Sequence, residues 1–220
     1  MAFLNTIIEF EGPVVDVEPR YWAAHQAAIQ AVGFKGPPQA DFWRLWRTGA
    51  ADGQFVRFGR PQKTIDYIRL RAEKIDSAEL MGLDQAGPKV AENLRLLKQM
   101  GSCHLVSLSR NRDGLNATLD RLGIWMHFDS KQCLPEDRDR RVEALRKLAG
   151  GLRVTLAIVG TVPMAYAAGE AGCRTVGLQT GPTAPTRLRQ VGVDVFFESL
   201  DELTDALNSH HPDLQRIGVF

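Results

Sequence analysis

The chain of 220 residues has little cysteine, almost no excess charge and no long apolar run. Its three cysteines, Cys103, Cys133 and Cys173, are far apart and form no C-x-x-C or Cys/His cluster, which argues against a disulfide frame or a zinc site and predicts free thiols in a reducing cytosol. Lys plus Arg number 27 against 26 Asp plus Glu, a net charge of +1. No basic field exists to gather nucleic acid, so no such partner is expected. No apolar stretch approaches the roughly 18–20 residues of a membrane span, and the first residues lack a basic region and a cleavage site. The expectation is a soluble, cytoplasmic protein without a membrane partner. The G-x-x-x-x-G-K-[ST], G-x-G-x-x-G and G-x-S-x-G patterns are missing too, which removes the common nucleotide and serine-nucleophile signatures. What remains is ordinary globular material, 44% apolar and 24% charged, in a length suited to one α/β domain with a smaller appendage.

Asn5 to Phe10 is a β-branched and apolar run closing on Glu11-Gly12-Pro13, which predicts a buried strand and a turn. From Arg20 the period lengthens: Tyr21, His25, Ala28, Ile29 and Val32 share a helical face, with Gly33 as the stop. Residues 34–63, with Gly36-Pro37-Pro38, the aromatics Phe42, Trp43 and Trp46, and Gly49, Gly53 and Gly59, fit short helices joined by turns. Helices are expected around Ile65–Ile75 and Val90–Leu97, and no strand between 15 and about 87. That stretch reads as a helical insertion. Beyond Gly101, strands at His104–Leu108, near His127–Ser130, and at Val154–Val159, Thr175–Leu178 and Val195–Phe197 alternate with helices. Those helices carry Leu115 to Leu122, Val142 to Leu148 (stopping at Gly150-Gly151), Ala165 to Ala171 and Leu200 to Leu207. Such alternation implies a parallel sheet covered on both faces, with its ligand crevice beyond the carboxyl ends of the strands.

Three polar clusters sit at those ends: Glu9 with Glu11, Ser107 to Asn111, and Gly160-Thr161. The run Ile8-Glu9-Phe10-Glu11-Gly12-Pro13-Val14-Val15-Asp16-Val17-Glu18-Pro19 resembles the signature F-D-x-D-G-T-L-V-D-S-E-P of the haloacid dehalogenase-like superfamily, in its phosphoglycolate phosphatase and β-phosphoglucomutase branch. Val106 to Asn111 is similar to that family's second motif. Ile158-Val159-Gly160-Thr161 through Ala171-Gly172 resembles its fourth, V-G-D-x-x-x-D-x-x-A-A-x-x-A-G. The resemblance implies an α/β fold: a Rossmann-like parallel-sheet core at 1–14 and 88–220, and an α-helical cap at 15–87. It also implies a magnesium-dependent phosphatase of small phosphorylated metabolites.

The departures fall on the chemistry. Glu9 stands where the family places its nucleophilic, magnesium-binding Asp, and Glu11 where it places the acid/base Asp. One extra methylene displaces each carboxylate by about 1 Å, an error that can cost roughly 100-fold in an aligned attack. Pro13 removes a hydroxyl and an amide donor from the phosphate loop. Thr161 replaces a metal-ligating Asp, and Met164 or Ala165 occupies the place of the second acid. Magnesium wants hard oxygens in octahedral array; only Glu9, the backbone of Glu11 and Thr161 are left to offer them, so no cofactor is expected, magnesium entering only if the enzyme is active. Ser107 is retained as a catalytic-type hydroxyl, with Ser109 the alternative register. The third-motif Lys falls near Gln132 or Cys133, Lys131 being a substitute after a loop shift. Gly12, Ser109, Arg110, Asn111 and Lys131, with Arg44 and Arg47 from the cap, are the candidate contacts to an anion. The reading is a catalytically impaired phosphatase-like protein that binds a small phosphorylated or otherwise anionic ligand, or a protein partner. The alternatives are an active phosphomonoester hydrolase using Glu9 as nucleophile and Glu11 as acid/base, and an interaction module keeping only the fold. The aromatics Tyr21, Trp22, Phe42, Trp43 and Trp46 are expected to be cap core.

Overall fold

The computed structural model describes residues 4–56, 61–150 and 154–220; Gly59 and Gly151 lie outside them. The chain begins with β1 (Leu4–Glu9), β2 (Val15–Asp16), α1 (Glu18–Val32), α2 (Gln39–Thr48), α3 (Pro61–Ile75), α4 (Ala78–Met81) and β3 (Gln85–Ala86). It continues with α5 (Val90–Met100), β4 (Gly101–Ser107), α6 (Arg112–Leu122), β5 (Ser130–Cys133), α7 (Arg138–Ala149), β6 (Thr155–Val159) and α8 (Val162–Glu170). The last elements are β7 (Arg174–Leu178), α9 (Pro185–Gln190), β8 (Val195–Phe197), α10 (Leu200–Asn208) and α11 (Pro212–Arg216).

Six strands form one parallel sheet in the order β5-β4-β1-β6-β7-β8. β1 is central and buried along its whole length, because its alternate residues feed two different cores. Leu4 and Ile8 join the cluster under α5, α6 and α10, and Ile7 joins the one under α7 and α8. The chain order turns around at β1, between β4 and β6, the place at which an open parallel sheet leaves a crevice beyond its carboxyl ends. The polar clusters at 9–11, 107–111 and 160–161 therefore meet at one edge.

The insertion is helical, with its own core of Ala28, Ile29, Val32, Phe42, Phe55, Val56 and Tyr67. Tyr21, Trp22, Trp43 and Trp46 pack against that core, as the sequence predicts, although Tyr21 and Trp46 also face a crevice toward the sheet. His25 is a packed residue of this core: it stacks on Phe42 at 4.4 Å and shares a 2.8 Å hydrogen bond with the Tyr67 hydroxyl, and burial pushes its imidazole down to about 4.

The structure corrects several boundaries. The stretch expected to be free of strands carries β2 and β3, which pair antiparallel as Val15–Ala86 and Asp16–Gln85 and form the neck of the insertion. Two residues per strand are too few to show a period. The strand expected at 127–130 lies at Ser130–Cys133, since Trp125–His127 is a 3-10 turn. This edge strand takes its order from ladder bonds to β4 and carries no apolar pattern. The short helices α9 and α11 were not expected, each being too brief for a helical stripe. No helix among the described residues is long and apolar enough to cross a membrane.

Candidate functional site

Three glycines let the loops converge. A Cβ on Gly12 would fall 2.5 Å from Cα of Gly181, one on Gly181 2.8 Å from Cα of Gly160, and one on Gly160 2.5 Å from the carbonyl oxygen of Glu11. Gly12 also sits at φ +100°, a conformation that excludes most side chains. Its role is to close the loops on one another, and it does not line the crevice.

That closure brings Glu9 onto the β6–α8 turn. Glu9 Oε2 accepts hydrogen bonds from the backbone N–H of Gly160 (2.6 Å) and of Thr161 (3.0 Å), while the Thr161 hydroxyl meets Oε1 at 2.6 Å. Thr161 Oγ1 also accepts the Met164 N–H, capping α8. The extra methylene of Glu9 and the short hydroxyl of Thr161 thus form a direct clasp across the strand ends. The Glu9 side chain is fully buried and does not line the crevice. Burial, and then the charge of Glu11, push its carboxyl up to about 8. Near neutral pH it holds its proton, and the 2.6 Å contact then runs with Glu9 donating to Thr161.

Glu11 does face the crevice. Its Oε1 accepts from the Ser107 hydroxyl at 2.6 Å and lies 3.8 Å from the Arg20 guanidinium. Ser107 is buried and accepts the Ser109 N–H, so its hydroxyl is engaged on both sides. Ser109 lines the crevice, but its hydroxyl points at the Met81 sulfur of α4 and accepts the Asn111 N–H. Asn111 is the N-cap of α6, accepting from Gly114 and donating to the Asp76 carbonyl, so this candidate anion contact is committed on both sides of its amide. Arg110 lines the crevice and is paired with Asp76 (3.1 Å) and Glu136 (3.2 Å).

Other candidates lie elsewhere. The Lys131 ammonium sits over the Trp125 ring and donates to the Trp125 and Phe128 carbonyls. Cys133 pairs with Ser107 in the ladder, and burial followed by the Glu11 charge push its thiol up. Arg44 is exposed and pairs with Asp41. Arg47 donates to the Gln179 carbonyl at 2.5 Å and ties the cap to the sheet outside the crevice.

The resemblance implies a magnesium ion here, and the donors do not fit one. Both oxygens of Glu9 and the hydroxyl of Thr161 are committed to one another and to backbone donors, and the Glu11 carbonyl rests against Gly160. Among the described residues no group of three or more His, Cys, Asp or Glu side chains could hold a metal ion.

Two groups escaped the sequence reading. Arg20 is 1% exposed, lies 3.1 Å from Asp84 of the β3 side, and has no well-aligned hydrogen-bond partner among the described residues for any of its nitrogens. Arg71 of α3 is held by Asp52 at 2.8 Å and by the Tyr67 hydroxyl at 3.0 Å, with the rings of Trp46, Tyr67 and Phe55 around it. Both line a crevice of about 380 Å³ between cap and sheet. The signal was present, since Arg20 precedes the apolar stripe of α1 and Arg71 sits inside that of α3, but a cation on an apolar face reads as a rim residue.

No family model matches the chain, and no curated protein matches it. Solved structures do resemble it. A haloacid dehalogenase-like family hydrolase from Streptococcus pneumoniae superposes with a TM-score of 0.75 at 14% identity, covering 94% of this chain and 98% of that one. A predicted phosphatase from Clostridium acetobutylicum gives 0.71 at 13%, over 95% and 100%. A predicted phosphoglycolate phosphatase from Haemophilus somnus gives 0.70 at 18%, over 96% and 99%. At such identities the likeness is one of fold: an α/β sheet core with an inserted cap.

Proposed function

We propose that this chain, which carries the haloacid dehalogenase-like fold, is a catalytically impaired relative of the phosphatases that share it, and binds a small anionic ligand between cap and sheet. The observation that carries the reading is the Glu9–Thr161 clasp. A nucleophile needs a charged oxygen within about 3–3.5 Å of phosphorus. Glu9 is buried, protonated near neutrality and spent on the Gly160 and Thr161 N–H groups and the Thr161 hydroxyl. Glu11, the acid/base candidate, is left beside Arg20 and Ser107 with no reacting oxygen to serve. The crevice keeps the shape and size of a metabolite site, with Arg20, Arg71 and Arg110 on its walls.

Across a panel of phosphate monoesters with magnesium, the wild type is expected to release no more phosphate than Glu9→Ala. Turnover that disappears in Glu9→Ala would overturn the proposal and favour the active-hydrolase alternative. A second expectation concerns restoration. Glu9→Asp, Glu11→Asp and Thr161→Asp together dissolve the clasp and return carboxylates to both sides of the gap. Calorimetric magnesium binding should become measurable in the triple variant and stay absent in the wild type. Tight magnesium binding by the wild type would defeat this reading of the donors.

A further inference from the structure

The crevice bends around Arg71. Its inner arm holds Glu11, Arg20, Asp76, Arg110 and Glu136; its outer arm, a second cavity of about 320 Å³ sharing Tyr21, Trp46, Arg71, Leu108 and Thr161, opens toward Thr183 and Arg187. The two arms differ in charge. In the inner arm the cations Arg20 and Arg110 are answered by four carboxylates: Asp84, Glu11, Asp76 and Glu136. An anion entering there finds both of these guanidiniums already paired. In the outer arm, among the described residues, Arg71 is balanced by Asp52 alone and its buried Nε has no hydrogen-bond partner. Arg187 is half-buried and has no carboxylate within ion-pair distance among the described residues. Its guanidinium lies over Gly49, at φ +70°, where a Cβ would come within 2.3 Å of Cζ. The bare backbone of the cap therefore makes room for this cation at the crevice wall.

We propose that the ligand carries an oxyanion, carboxylate or phosphate, that seats in the outer arm on Arg71 and Arg187 beside Thr183, with an apolar body against Trp46 and Phe55, and does not occupy the position over Ser107. The inference rests on the anion-binding reading above and moves its site. Two forked guanidiniums with a hydroxyl match the planar face of a carboxylate or the oxygens of a phosphate. The aromatic wall around Arg71 supplies contact area to a ring or short aliphatic chain.

Benzoate and phenyl phosphate, titrated separately into the full chain by calorimetry or by amide chemical shifts, distinguish the two oxyanion sources. Saturable binding of either probe is expected, weakened at least tenfold by Arg187→Met and less by Arg187→Lys, which keeps the charge and loses the fork. Arg110→Met, in the inner arm, should change affinity less than twofold. Binding of one probe alone supports the proposal and names the source. An unchanged affinity in Arg187→Met, or a loss confined to Arg110→Met, overturns the outer-arm site while leaving anion binding standing. Failure of the wild type to bind either probe overturns both. Arg187 is half-buried, so a shift in its thermal midpoint of more than a few degrees would call for Thr183→Val as the second probe of the arm, with the same tenfold loss expected.

Discussion

Unfolding free energy should fall as pH rises from about 7 to about 8, above the range in which the buried His25 acts with the opposite sign, and Glu9→Gln should remove that fall. The sign follows from the clasp. The Glu9 carboxyl ordinarily titrates at 4.5 and is pushed up to about 8 in the fold, by burial first and the Glu11 charge second. Between those two values the folded chain holds a proton that the unfolded chain has released, so stability is greatest below the unfolded value and is lost through the folded one. One such group contributes at most about 1.4 kcal/mol per pH unit of slope. Asp84, raised from 3.8 to about 7 by burial and only partly held down by Arg20, adds to the slope at the lower end. Glu9→Gln keeps the size, the acceptor for the Gly160 and Thr161 N–H groups and a donor for Thr161, and it cannot ionise. Urea denaturation at pH 5, 6, 7, 8 and 9 separates the cases. A wild-type profile that is flat or rising between about pH 7 and 8, or one unchanged in Glu9→Gln, would refute the protonated clasp.

The fold was legible because its signals are long-range and redundant. β1, β6 and β7 are apolar runs closed by glycine or acidic turns, and parallel strands buried on both faces must read that way. Helices α1, α5, α6, α7 and α10 show stripes long enough to count. β5 was misplaced because an edge strand of Ser-Lys-Gln-Cys draws its order from backbone pairing, while the apolar run before it fills a turn. The site was legible in place and not in wiring. Strand ends bring Glu9, Glu11, Ser107 and Thr161 together as motif order predicts, yet nothing in that order says that Glu9 would reach sideways to Gly160 and Thr161. The cap cations were harder still. Arg44 and Arg47 sit in an aromatic segment and look available, whereas Arg20 and Arg71 lie on stripes where burial is expected of apolar residues. Which of these faces the crevice depends on how the cap leans, and that is set by contacts such as Asn111 with Asp76 and Ser109 with Met81, each distant in sequence.

Arg20→Met should cost more stability than any other single substitution at this site, about 3–5 kcal/mol, as expected when one partner of a buried ion pair is removed. Arg20 is 1% exposed and Asp84 fully buried, 3.1 Å apart, with Glu11 at 3.8 Å on the other side. Without the guanidinium, two carboxylates remain in a poorly solvated pocket, and burial already holds Asp84 near 7. The methionine fills most of the volume, so little of the loss comes from a cavity. Arg20→Met with Asp84→Leu removes both charges of the pair, and should recover most of the deficit; the double-mutant cycle over the two sites should give a coupling of at least about 1 kcal/mol. The remaining deficit reports on Glu11, which keeps Ser107 as its donor. The single variant should also lose less stability at low pH, where the orphaned carboxyl takes up a proton. A loss below about 1 kcal/mol in Arg20→Met, or an additive double variant, would show that Arg20 is not bound to Asp84 in the folded chain. Its unaligned nitrogens would then be donors to the crevice, and the inner arm would regain a free cation.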